Sequence, residues 1–252
     1  MNKWTREETI VAFNVYCKIP FKSSSKTHPM IIKYAELLGR SPSALNMKVG
    51  NIGRLDPDLK EQGITGLIHG AKMEEEIWNE FYGNPELLAF ESEKIIAQMS
   101  NQSIEDSTAI PKNDLLQGIE RTAIIKQRVN QSFFRSAVMS AYNFRCCISG
   151  VNAPQLVDAC HIVDWSEDIN NRTNPKNGIC LNPFFHKAYD KFLLAITPDR
   201  LIIVSEKLFQ SVTERPFYNY LKEINGRRML LPDKFIPERD FLAVHYNKFV
   251  NQ

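Results

Sequence analysis

The sequence predicts an α+β protein: a mostly helical N-terminal domain, then a C-terminal domain built on a strand–loop–strand–helix unit with flanking helices. Three observations predict it. Up to about residue 100, apolar residues recur at helical spacing between proline and glycine breaks. The stretch "SNQSIEDSTAIPKND" is polar, lacks aromatics and contains a proline, so a linker is expected at 101–115 between domains at 1–100 and 116–252. Beyond residue 143 the texture changes to short β-like runs separated by turn residues.

The elements follow in order. Residues 4–17 read as a helix, with Thr5 as a cap and Glu7 and Glu8 in its first turn, and Pro20 ends it. After "KSSSKTHP", residues 30–38 form a second helical run closed by Gly39, and a third opens with Ser41 as N-cap and Pro42 at its first position. The pair around "LLGRS" has a helix-turn-helix shape. That makes Ser43, Asn46, Lys48 and Asn51 candidates to face nucleic acid, and Arg40 and Arg54 candidates to touch phosphate, although such hairpins are common in all-α packing. "AKMEEEIWNEFYGNPELLAFESEKIIAQM" gives two more helices divided by "GNP". Residues 128–142 form an amphipathic helix with Phe134, Val138 and Tyr142 on one face.

"RCCISG", "QLVDACHI" and "GICLN" read as strand-like runs, and "PFFHKAYDKFL" returns to helical spacing behind Asn182 and Pro183. A β-like run at 201–204, a helix near 205–222 and a last helix after "GRRMLLPDKF" complete the chain. Arg227, Arg228, Lys234 and His245 in this part are candidates to line a DNA groove.

Composition narrows the partners. A net charge of +2, from 31 basic and 29 acidic residues, excludes a polycation that coats nucleic acid indiscriminately, but it allows a local basic cleft. No uncharged apolar stretch approaches the ~18 residues of a membrane span, and the first residues carry no apolar signal region. A cytoplasmic protein without a membrane partner is expected. The five cysteines, at 17, 146, 147, 160 and 180, are odd in number and lack CxxC pairs, which suits a reducing compartment. They read as small buried hydrophobes, with a zinc site using Cys146 or Cys147 beside Cys160 and Cys180 as the alternative.

The chemistry concentrates in the strand–loop–strand–helix unit. His186 and Asp190 are one helical turn apart, about 6 Å between Cβ atoms, and can share a divalent cation. If the two strands pair as a hairpin, His161 and Asn177 reach the same end of the unit. The cation would then face a free imidazole, with an amide available to orient the loop or the histidine.

The order His161, Asn177, His186, with Asp190 one turn beyond, resembles the HNH endonuclease family and its ββα-metal fold. The likeness is closest to the bacterial restriction-type branch. It rests on "FFRSAVMSAYNFRCCISG", "ACHIVDWS" and "RTNPKNGICLNPFFHKAYDKFLL", spans roughly 128–198 and centres on a core at 144–198. The resemblance implies His161 as general base, Asn177 as the orienting asparagine, and His186 and Asp190 as metal ligands. It places Cys160 where some relatives have a ligand and others a small residue, and Asp164 where proline is usual. Asp158 is a further carboxylate close to the metal.

The implied reaction is metal-dependent hydrolysis of DNA to 5′-phosphate and 3′-hydroxyl ends, in restriction or phage defence. The implied ion is Mg2+ or Mn2+, while the mixed nitrogen and oxygen ligands also admit Ni2+, Co2+ or Zn2+. Arg172, Lys176, Lys187 and Lys191 are candidate phosphate contacts. Cutting both strands of double-stranded DNA points to a homodimer. The alternatives are a non-catalytic DNA-binding scaffold and a nuclease of RNA or single strands.

Overall fold

A computed structural model describes residues 3–64, 70–108 and 119–252. Among the described residues, twelve α-helices accompany two separate two-stranded antiparallel sheets, an α+β composition.

Helix α1 (Arg6–Lys18) is the centre of the N-terminal half. It opens with a reciprocal cap: Glu8 N donates to Thr5 Oγ1 at 3.2 Å, and Thr5 N donates to Glu8 Oε2 at 2.8 Å. Every residue from Thr9 to Cys17 is buried, so this helix has no solvent face along that stretch. Around it pack α3 (Pro42–Gly53), α5 (Lys72–Phe81), α6 (Pro85–Met99) and α8 (Ile119–Ala141). The short α4 (Pro57–Glu61) joins α3 to this layer. Helix α2 (Pro29–Leu37) leans on α3 across Gly39, whose φ of +60° makes the turn.

Proline in the first turn starts α2, α3, α4 and α6, where its missing N–H breaks no helical bond. Part of the stretch expected as linker, residues 104–107, is one helical turn, α7 (Ile104–Ser107), capped by Ser103. Residues 109–115 of that stretch lie outside the described residues.

Helix α8 starts at 119, nine residues before the expected 128 (128 − 119), and touches both halves. Val129, Phe133, Phe134, Ala137 and Val138 are buried, and the helix meets α1 and α6 as well as β1 (Asp158–His161) and β2 (Gly178–Leu181). The two strands pair antiparallel, with Asp158 opposite Leu181 and His161 opposite Gly178. Gly178 is required there: a Cβ would lie 2.8 Å from Phe134 and would collide with Val138.

Helix α9 (Pro183–Asp190) follows β2 directly, with Phe185 N donating to Asn182 Oδ1 at 2.9 Å. β3 (Leu194–Ile196) and β4 (Ile202–Val204) form the second hairpin, and α12 (Arg239–Val250) packs on β3.

Three expectations are corrected. "RCCISG" is a turn rather than a strand: Gly150 N donates back to Cys146 O at 2.9 Å, and Gly150 takes φ +77°. The helix near 205–222 is two, α10 (Glu206–Ser211) and α11 (Arg215–Ile224), because Pro216, in the first turn of α11, has no N–H for the carbonyl four residues back and its ring crowds that carbonyl. Lys234 lines no groove. It is fully buried, donating to the carbonyls of Tyr16 and, at 2.9 Å, Ile19 at the end of α1. Its neighbour Asp233 accepts from Lys22 at 2.6 Å and Asn143 at 2.8 Å, so this segment bolts the C-terminal part to the N-terminal helices.

Candidate active site

His161 closes β1 and lies flat on Phe134 of α8, ring centroids 3.7 Å apart and planes 6° apart, with Trp165 edge-on at 5.6 Å. Its Nε2 is 2.9 Å from the carbonyl oxygen of Arg172. A carbonyl only accepts, so Nε2 carries the proton and Nδ1 keeps its lone pair. Burial lowers the pKa of this imidazole below its ordinary value, partly offset by the Arg172 carbonyl, so at pH 7 the ring is neutral. A neutral imidazole with a fixed tautomer is a base ready to accept one proton.

The carbonyl that fixes that tautomer sits on the loop between β1 and β2, and Asn177 ties the loop down. Its Oδ1 accepts from Val163 N at 2.8 Å, while Nδ2 donates to Val163 O at 3.1 Å and Asn171 O at 3.4 Å. The amide therefore grips the loop at its start, Val163, and at Asn171, the residue before Arg172. The Arg172 side chain is held as well, donating from Nε to Trp165 O at 2.5 Å and lying over the Trp165 ring.

The helix α9 places His186 Nε2 at 3.8 Å from Asp190 Oδ2, and Cys160 Sγ lies 3.7 Å from Asp190 Oδ1. Ligand atoms of Cys160, His186 and Asp190 all lie within 4.8 Å of one another, and among the described residues no other group of three such side chains converges this way. A thiol, an imidazole and a carboxylate at these separations fit a divalent transition ion with one position left open. The zinc site of Cys146 or Cys147 with Cys160 and Cys180 finds no such convergence among the described residues. Cys146, Cys147 and Cys180 stand outside the group, and all five cysteines are buried and free.

A cavity of about 550 Å³ joins these groups, lined by His161, Asp164, His186 and Asp190 and, from α12, by His245 and Lys248. His245 stacks on Tyr189 with centroids 3.6 Å apart, and its Nε2 donates to the Tyr189 carbonyl at 3.1 Å. Lys248 pairs with Glu167, another lining residue.

The remaining candidates divide clearly. Asp158 accepts from Arg135 Nε at 2.9 Å and from Ala159 N at 2.7 Å and is outside the converging group. Asp164 accepts from Ser166 N at 2.8 Å, and its bonds to Ser166 lower its pKa below the usual carboxylate value. Lys176 lies 3.8 Å from Glu238 and over the Tyr82 ring. Lys187 and Lys191 are exposed, and Lys187 shares a shallow hollow with Asp158, His186 and Asp190.

Away from this centre, Arg40 donates to Glu8 at 2.8 Å, Asn46 accepts from Ser24 at 2.7 Å, and Lys48 is buried against Glu74 at 2.5 Å. Asn51 and Arg54 also bond Glu74 and Glu75, at 3.3 and 3.1 Å. These side chains knit the helical half together and are not brought to the cavity.

Sequence reasoning missed Phe134 as the platform for His161, Arg135 as the partner of Asp158, and the contribution of Lys248. For the first two the signal was "FFR" on an amphipathic helix, whose apolar face reads as core. For α12 no local pattern marks a residue that reaches the site through tertiary packing alone.

A neutral histidine and a converging trio of possible metal ligands are thus mounted on one β-hairpin and the helix that follows it. Residues 146–197 match the family model described as HNH endonuclease, and nuclease chemistry on nucleic acid is what that family implies. No curated protein matches the chain.

Proposed function

We propose that the chain is a divalent-metal-dependent endonuclease that hydrolyses double-stranded DNA to 5′-phosphate and 3′-hydroxyl ends, in restriction or phage defence in the cytoplasm. One observation carries the reading: His161, neutral and with its Nε2 committed to the Arg172 carbonyl, lines the same cavity as His186 and Asp190, whose donor atoms converge with the sulfur of Cys160 beneath it. Five free cysteines suit a reducing compartment.

In this reading Nδ1 of His161 removes a proton from water as its oxygen attacks phosphorus. The Arg172 carbonyl, accepting from Nε2, stabilises the imidazolium that forms. Asn177 is a positioning residue that holds the loop bearing that carbonyl. His186 and Asp190 hold the divalent ion, which supplies positive charge at the departing 3′ oxygen. Lys187 and Lys191 contact flanking phosphates. A homodimer brings two such centres to the two strands. Residues 116–252 form the nuclease domain, and residues 1–100 supply specificity or bind a partner that licenses cleavage.

The test is supercoiled plasmid incubated with Mg2+, Mn2+, Co2+ or Zn2+, or with EDTA, beside the His161→Ala variant. Metal-dependent nicking or linearisation that the variant loses supports the reading. Intact plasmid under every metal, or equal cleavage by His161→Ala, removes it, and parallel RNA and single-stranded substrates separate a different nuclease from an inert scaffold.

A further inference from the structure

We propose that Cys160 is a ligand of the bound metal and that its thiolate selects zinc-class ions, Zn2+ or Co2+, over Mg2+. The inference rests on the metal-dependent reading above and narrows its ion.

Geometry is the first support. Bonds of 2.0 to 2.3 Å in a tetrahedral site set neighbouring ligand atoms about 3.3–3.8 Å apart. Asp190 Oδ1 lies 3.7 Å from Cys160 Sγ and its Oδ2 lies 3.8 Å from His186 Nε2, and one ligand atom from each of the three residues lies within 4.8 Å of the others, so a small rotation of the carboxylate and imidazole closes the set. The donors are therefore close to a coordination sphere before any rearrangement.

The surroundings of the sulfur are the second support. Cys180, a cysteine acting as a small hydrophobe, packs its sulfur against Met139 at 3.7 Å. Cys160 is as buried, at 1 % exposure, yet its sulfur faces the Asp190 carboxylate and, at 3.4 Å, the His161 carbonyl. Two oxygens are poor neighbours for an apolar filler and good ones for a sulfur that belongs to a polar centre.

Donor chemistry decides the ion. Magnesium demands near-octahedral oxygen ligation, retains most of its waters and has little affinity for sulfur. A thiolate, an imidazole and a carboxylate with a fourth position open to the cavity match a catalytic zinc sphere. On binding, the S–H bond breaks, the sulfur pair goes to the metal and the proton leaves to solvent. His161, next in the chain, is outside the converging group, which leaves its Nδ1 lone pair for the attacking water.

The experiment is titration of Co2+ into the full-length protein, followed by absorbance. Expected are one equivalent bound, a near-ultraviolet thiolate-to-cobalt charge-transfer band, displacement by equimolar Zn2+ and none by a large excess of Mg2+. Cys160→Ser loses the band and weakens Co2+ binding about tenfold or more, while Cys17→Ala retains both. No Co2+ binding, binding without the band, a band that survives Cys160→Ser, or displacement by Mg2+ would each overturn the assignment. Should Cys160→Ser fail to fold, the wild-type spectrum and the Mg2+ competition still decide. Failure of the nuclease reading looks different: intact plasmid while the band is present. Failure here alone is metal-dependent cleavage with no band.

Discussion

The helical half and the ββα centre treat polar side chains in opposite ways. Around α1, polar groups are buried or half-buried in closed pairs: Lys48 with Glu74 at 2.5 Å, Lys18 with Glu93 at 2.6 Å, Arg40 with Glu8 at 2.8 Å, and the Tyr16 hydroxyl donating to Asp56 at 2.5 Å. Around β1 and α9, His161, His186 and Asp190 line an open cavity. Partners offset the desolvation of the first set, so those residues hold the fold and have little left to offer a ligand. The second set is incompletely satisfied by protein, which is the condition for binding something else.

The largest effects should come from breaking each side of that contrast. Removing the lysine in Lys48→Ala leaves Glu74 buried without its main partner and should cost about 3–5 kcal/mol, read as a lowered urea midpoint. Cleavage per folded molecule should stay unchanged. His161→Ala should do the reverse, reducing cleavage by about 10²–10⁴-fold while the urea midpoint barely moves. If Lys48→Ala abolished catalysis without destabilising the protein, the helical half would belong to the active centre and the contrast would be wrong.

Gly178→Ala tests the junction between the two regions. An added methyl meets Phe134 and Val138 of α8, so repacking should cost about 1–3 kcal/mol. Because Phe134 is the platform under His161, the variant should also lose activity beyond its loss of stability, measured under conditions where it is fully folded.

A next effect concerns His245, one of three histidines that line the cavity. Burial lowers the pKa of His245 to about 4, whereas an unfolded imidazole titrates near 6.5. Below pH 6.5 the unfolded state therefore binds more protons, and this residue removes up to about 1.4 kcal/mol of stability per pH unit until pH falls to about 4. Its contribution is complete above pH 6.5. In His245→Gln the urea midpoint should fall less steeply between pH 6.5 and 4 than in the wild type, and parallel curves would show that this histidine does not titrate as buried.

Legibility in the sequence follows the same division. Helix starts were readable because caps are local: Thr5, Ser41 with Pro42, and Asn182 with Pro183 open α1, α3 and α9 as expected. The order and spacing of His161, Asn177, His186 and Asp190 were readable because one hairpin and one helical turn separate them. What was not readable depended on distant chain. Lys234 looks like a surface cation until it is seen against the carbonyl end of α1. The partners of Arg40, Asn46 and Lys48, namely Glu8, Ser24 and Glu74, likewise come from other elements and leave no local mark. "RCCISG" has strand-like residues but no ladder, because Gly150 turns it back on itself.

The smallest expected effect is also the sharpest test of which region meets DNA. Lys187 is exposed on α9 beside His186 and Asp190, so a phosphate reaching the metal site passes within its range. A cation that neutralises one phosphate releases about one counterion, so Lys187→Ala should weaken binding uniformly across sequences and reduce the log–log salt slope by about 1. Arg40→Ala should leave the slope unchanged, since its guanidinium is engaged by Glu8 and by the Lys3 carbonyl at 2.8 Å. Equal slopes for Lys187→Ala and wild type, with a reduced slope for Arg40→Ala, would move the DNA surface to the helical half and require its ion pairs to open on binding. The predicted pattern instead keeps the DNA surface at α9 and leaves α8, which packs on α1 and α6 as well as on β1 and β2, as the helix through which the two regions touch.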